Sequence, residues 1–126
     1  MSEETGTVLD ADALGRLREL DPSGNGRLVE RVLRAFQSSS ARLGEQCDVA
    51  RKSGDMQSIR HVVHTLKSSS ASIGALALAR ICAEIESSIR ADALAGLPER
   101  LDAMDLELKS VLQAVTPLLS PPGTPT

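Results

Sequence analysis

Aromatic residues are almost missing: the 126-residue chain has one Phe, no Tyr and no Trp. A core without them must be built from Leu, Ile, Val and Ala. That suits helices packed side by side and argues against a β-sandwich, where β-branched and aromatic residues concentrate. Cysteine is scarce as well. Cys47 and Cys82 each sit in an apolar helical pattern, which reads as two buried thiols rather than a disulfide, and no signal peptide points to an oxidising compartment. No apolar run approaches the ~18 residues that span a membrane. Charge of one sign is not in excess either: 14 Lys and Arg against 17 Asp and Glu give a net charge of −3. With no basic stripe and no interleaved aromatics, nucleic-acid binding is not expected. These absences leave a single soluble domain with a cytoplasmic address as the expectation.

Periodicity supplies the architecture. Residues 1–8 are polar and short enough to be a disordered start. Asp10 or Asp12 can cap a short helix that turns Leu14, Leu17 and Leu20 inward, and D-P-S-G-N-G at 21–26 ends it. Asp21, Ser23, Asn25, Gly26 and Leu28 match the opening of a calcium-binding EF-hand loop, but its twelfth position is Val32 instead of a bidentate glutamate, so a plain turn is expected. From Arg27 to Arg51 a long amphipathic helix carries Val29, Val32, Phe36, Leu43, Cys47 and Ala50, with Ser39 and Ser40 interrupting the seam. Lys52, Ser53 and Gly54 close it, and Asp55 can cap the next helix, which runs to about Ile73.

Gly74 stops or bends that helix. Ala75 to Ala91 follows with Leu78, Ile81, Cys82, Ile85 and Ile89 on its inner side, and Ala95, Gly96 and Pro98 mark the next turn. The last helix shows Leu101, Met104, Leu108, Val111, Leu112 and Val115, and Pro117 limits it. The remaining tail, 120–126, is Pro-rich and expected to be disordered. Four long amphipathic segments with short connections give an all-α, antiparallel up-down four-helix bundle with a short additional N-terminal helix, spanning 9–119.

The stretch from Ile59 to Leu78 stands apart from this scaffold. Ile59, Val62, Val63, Leu66 and Ile73 form one apolar stripe, and at about 100° per residue His64 points roughly 140° away from its centre. Gln57, Arg60, His61, Ser68 and Ala71 share that outward sector, and Lys67 lies on its flank. Taken singly, an outward histidine is an ordinary surface residue, Lys67 a solvated lysine and Ser68, Ser69 and Ser70 filler. His61 and His64, at i and i+3, could share a metal ion, but no cysteine or carboxylate stands within the same few turns outward, and the apolar seams supply no buried carboxylates or histidines; no metal is expected.

H-T-L-K-S-S-S-A-S-I-G-A-L, residues 64–76, resembles the signature of the histidine-containing phosphotransfer (HPt) domains of bacterial phosphorelays: His-x-Leu-Lys-Gly, then after five residues a Gly and a leucine-rich helix. His64, Leu66, Lys67 and Gly74 match in type and spacing, whereas Ser68 stands where the family has glycine. These domains are four-helix bundles with an extra short helix. The resemblance implies that His64 is the phosphoryl acceptor, that Lys67 offsets phosphate charge and that Gly74 permits close packing beside the site. Ser68 takes the place of the glycine that gives a partner room to approach, and its hydroxyl can hydrogen-bond the phosphate.

A neutral imidazole offers one nitrogen lone pair to phosphorus without a dedicated deprotonating base. Phosphoryl transfer needs in-line positioning and charge stabilisation, and most of those parts, magnesium included, would belong to a partner receiver domain with its phospho-aspartate. The chain has no Gly-rich nucleotide loop and no acidic metal cluster, so the expectation is a phosphoryl carrier without kinase activity or a cofactor of its own. Expected partners are response-regulator receiver domains and a hybrid sensor histidine kinase, met transiently by a monomer through Gln57, Arg60, His61, Lys67, Ser68 and Ala71. The competing readings are a non-catalytic helical adaptor or dimerisation bundle, and a metal-binding bundle.

Overall fold

The computed structural model describes residues 8–119. Most of the expected disordered head, 1–7, and all of the Pro-rich tail, 120–126, lie outside the described residues; Val8 and Leu9 pack against the core. The described residues form helices α1 (Ala11–Glu19), α2 (Leu28–Ser53), α3 (Met56–Ser72), α4 (Leu76–Arg90) and α5 (Leu97–Val115), with a 3-10 turn over Thr116–Leu118. The fold is all-α, a four-helix bundle of α2 to α5 with α1 laid against it. The connections are short, so consecutive helices run antiparallel. α2 also closes on α5, where Arg51 at the end of α2 reaches Asp102 at 3.0 Å and Asp105 at 3.6 Å near the start of α5.

Local chemistry sets the helix ends. Asp10 caps α1 by accepting the Ala13 N–H, and Asp55 caps α3 by accepting that of Ser58. Gly54 closes α2 in the left-handed region, at φ 70, a conformation that glycine adopts without steric cost. The loop before α2 is a turn in which the Asp21 carboxylate faces inward, accepting the backbone N–H groups of Gly26 and Leu28 at 3.4 and 3.1 Å. The residue with the most calcium-ligand character is thus consumed as a cap.

The core follows the expected stripes, with three corrections. Leu20 does not turn inward: it is 75% exposed, because α1 ends at Glu19 and the chain turns away. On α2 the buried seam is Leu33, Phe36, Ser40, Leu43, Cys47 and Ala50, whereas Val29 and Val32 are only partly buried. Val32 lies one residue off this three-four repeat, and Leu33 takes the place assigned to it. The third concerns α4, whose buried set includes Glu86 beside Leu78, Cys82 and Ile85. Ser40, on the seam, satisfies its hydroxyl by donating to the Gln37 carbonyl at 3.2 Å. Cys47 and Cys82 are free buried thiols. No helix among the described residues is long and apolar enough to cross a membrane.

Gly74 joins α1 to the bundle. Its φ is 81, its carbonyl accepts the Asp10 N–H at 2.8 Å, and a Cβ there would stand 2.8–2.9 Å from Asp10 backbone atoms and the Ala13 Cβ. Backbone meets backbone at this point, which only a residue without a side chain allows. The close packing at Gly74 therefore serves the docking of α1.

Candidate functional site

α3 is held by Ile59, Val62, Val63 and Leu66, all buried. The helical repeat then turns Gln57, Arg60, His61, His64, Ser68 and Ala71 to solvent, with Lys67 half-buried on the flank. All the outward residues proposed from the sequence share this face. Ser69 is half-buried and Ser70 wholly buried, so of the serine run only Ser68 is available one turn beyond His64. Gly74 lies ten positions past His64, about 15 Å along a helical rise, and contacts α1 instead of the histidine.

The contact absent from the sequence reading comes from α4. Nδ1 of His64 lies 2.7 Å from Oε2 of Glu86. Lys67 Nζ donates to Oε1 of the same carboxylate, also at 2.7 Å, and Arg90, one turn along α4, donates to Oε2 at 3.3 Å. Glu86 is 3% exposed, and three polar side chains meet its carboxylate, so its charge is compensated where it lies. The Lys67 ammonium, followed by the His64 N–H, outweighs the opposing effect of burial and holds the Glu86 carboxyl down at about 2, from an ordinary 4.5.

This overturns the expectation that the apolar seams hold no buried carboxylate. The signal was present: Leu78, Cys82 and Glu86 fall at steps of four, which puts a carboxylate in line with a buried stripe and obliges it to find partners. The sequence does not name His64 and Lys67, because they stand 22 and 19 positions away, whereas Arg90, at i+4 on the same helix, is within reach of spacing alone.

An ionised carboxylate only accepts, so the ring donates from Nδ1, and whenever the ring is neutral its lone pair is on Nε2. His64 is 57% exposed and stands at a shallow hollow of about 220 Å³ lined also by Gln57, Arg60, His61, Glu86 and Arg90. A larger groove of about 530 Å³ between α2 and α3, with Val49 and Val62 in its wall, shares Gln57 and His61 with this hollow. The arrangement turns Nε2 towards solvent at a surface where Arg60, Lys67 and Arg90 outnumber one carboxylate. Among the described residues no three His, Cys, Asp or Glu cluster as metal ligands would.

Comparison with known proteins bears on the family and the fold. A family model described as Hpt domain matches residues 31–115. Among solved structures the chain is similar to histidine-containing phosphotransfer protein B (HptB) from Pseudomonas aeruginosa PAO1, with a TM-score of 0.78 and 28% identity, covering 88% of this chain and 93% of that one. No curated protein matches.

Proposed function

Given that this chain belongs to the Hpt domain family, whose members carry phosphoryl groups in phosphorelays and are not kinases, we propose that His64 is the acceptor. It takes a phosphoryl group from the phospho-aspartate of one receiver domain and passes it to the aspartate of another. The observation that carries this reading is the exposed imidazole whose Nδ1 is engaged by Glu86, leaving Nε2 as the nucleophile at an open hollow.

Nε2 attacks phosphorus in line, the N–P bond forms, and the P–O bond to the receiver's aspartate breaks with its electron pair leaving on that carboxylate. Magnesium belongs to the receiver. Lys67, within one turn of His64, supplies positive charge to the phosphoryl oxygens, and the Ser68 hydroxyl can reach them from the next turn. Gln57, Arg60, His61 and Ala71 form the surface on which the receiver rests, over a modest interface suited to a transient encounter. The hybrid sensor kinase is the source of phosphate, the setting is cytoplasmic and the carrier acts as a monomer.

The test is incubation with a phosphorylated receiver domain and a search for acid-labile, base-stable phosphate on this chain. Phosphate on wild type but not on His64→Gln is expected. No phosphate on wild type, or equal phosphate on both, overturns the reading and leaves a non-catalytic helical adaptor.

A further inference from the structure

The hollow beside His64 extends in one direction. Its wall on α3 is Gln57, Arg60 and His61, all N-terminal to the histidine, with Glu86 and Arg90 across from them on α4; Lys67 and Ser68 are not part of it. Helical geometry is the reason. Each side chain tilts towards the N-terminus of its helix, so the imidazole leans over the turn that carries Arg60. The open space next to the ring therefore belongs to a turn that the His-x-Leu-Lys-Gly signature does not include.

The cations around the ring are not equivalent. Lys67 donates to Oε1 of Glu86 at 2.7 Å and Arg90 to Oε2 at 3.3 Å, so both are matched to a carboxylate that is almost wholly covered. Arg60 is exposed and, among the described residues, makes no hydrogen bond or ion pair. Its own helix offers it no acid, because the positions three and four away are Met56, Gln57, Val63 and His64. Across the gap it meets a like charge. The antiparallel helices pair 64 with 86, so one turn towards the start of α3 and one turn towards the end of α4 bring 60 opposite 90, and both arginines line the hollow. Two guanidinium groups facing one another leave a place that an anion fills.

We propose that Arg60 is a ligand of the phosphoryl group on His64: its guanidinium holds phosphoryl oxygens from the N-terminal side of the ring, opposite Lys67, and stabilises the phosphorylated state of the chain. The proposal rests on His64 being the acceptor. The arriving group brings three acceptor oxygens and about two negative charges. Lys67 meets them by leaving a 2.7 Å bond to Glu86, whereas Arg60 meets them with no bond broken, and its planar fork matches two oxygens at once. At i−4 it stands one turn from the histidine, within reach of an arginine side chain.

The experiment uses the whole chain and phosphoramidate as donor, so that no receiver surface is involved. Nε2 forms the N–P bond, the protonated nitrogen of phosphoramidate leaves as ammonia with the electron pair of the broken P–N bond, and the ring keeps its Nδ1 proton. Phosphorus-31 spectra then follow the titration of the phosphoryl group on wild type, Arg60→Gln, Arg60→Lys and Arg16→Gln, the last removing an exposed positive charge on α1. His61, Lys67, Glu86 and Arg90 are common to all four proteins, so the comparison isolates Arg60. A cation on the oxygens favours the fully ionised phosphoryl group. The Arg60→Gln midpoint should therefore lie about 0.5–1 pH unit above that of wild type, with Arg60→Lys between them and Arg16→Gln unchanged. Phosphorylation of Arg60→Gln should also slow, by about three- to tenfold.

A wild-type midpoint in Arg60→Gln overturns the proposal, and so does an equal rise in Arg16→Gln, which would make the effect one of net charge. Slower transfer from a phosphorylated receiver with an unchanged phosphoryl midpoint assigns Arg60 to docking alone and overturns it too. A wild type that gains no phosphate from either donor removes the acceptor reading itself, and the proposal falls with it.

Discussion

His64 on α3 and Glu86 on α4 meet through a 2.7 Å contact between Nδ1 and Oε2, and this one contact decides which ring nitrogen is left to face the solvent. The histidine side chain is 57% exposed, whereas the carboxylate beneath it is almost wholly covered. The reactive group thus sits at the surface while the group that orients it is part of the core.

Replacement of His64 by Gln should abolish acid-labile phosphorylation and leave stability nearly untouched. The imidazole is mostly in solvent, Lys67 and Arg90 stay on the Glu86 carboxylate, and the glutamine amide can donate in place of the Nδ1–H, so no buried charge is left uncompensated. Phosphate incorporation and urea unfolding on the same preparation check both halves. A large loss of stability would place His64 in the scaffold.

The Glu86 network should weaken in acid. The carboxyl is at about 2 in the folded protein, against an ordinary 4.5, so the unfolded chain takes up its proton first as pH falls. The contribution of Glu86 is fully present above about 4.5 and is lost as pH drops towards 2. Thermal unfolding of wild type and Glu86→Gln between pH 2 and 6 isolates it. The difference between the two should shrink on acidification, and a difference that grows would mean the carboxylate is not held ionised.

At Gly74, valine should be strongly destabilising. A non-glycine residue at φ 81 costs of order 1–3 kcal/mol from the backbone alone. The added Cβ would also displace Asp10 and Ala13, so the loss should be larger and concentrated in α1. Hydrogen exchange should show α1 amides losing protection first, with the centre of α3 little changed. Equal loss around His64 would mean that Gly74 supports the site directly.

Ser68→Gly should keep phosphoryl transfer or speed it, at a cost of about 0.5 kcal/mol in helix stability. The side chain is exposed, so its removal opens the approach to His64 without leaving a cavity. Transfer from a phosphorylated receiver, timed for both proteins, provides the check; a variant that folds but loses transfer would make the serine hydroxyl a required contact.

The thiols of Cys47 and Cys82 should react only on unfolding. Burial, foremost, pushes them up to about 11 and about 12, and the thiolate is the reactive form. Titration with a thiol-specific chromogenic reagent should give little reaction in buffer and full reaction in denaturant.

The sequence by itself determined the bundle and the face. A chain nearly free of aromatics, with apolar residues at helical spacing, can close its core in few ways, and the stripe from Ile59 to Ile73 dictates by geometry that His64, Ser68 and Ala71 point away from it. Caps are just as local, since Asp55 needs only the N–H three residues ahead. The register of α2 was blurred because Val29, Val32 and Leu33 are all apolar, and only packing shows which of them the neighbouring helices cover.

The tertiary structure alone decided the chemistry around the histidine. Glu86 lies in the apolar line of α4 with Leu78 and Cys82, and its partners on α3 are fixed by how the two helices pack and how far one is shifted along the other. Helical periodicity describes a single helix and carries no information on that offset. Gly74 follows the same logic: the sequence marks a break, but only the fold brings the Asp10 backbone to within hydrogen-bonding distance of it. Contacts within one helix follow from spacing of three and four, whereas contacts between helices depend on the whole core.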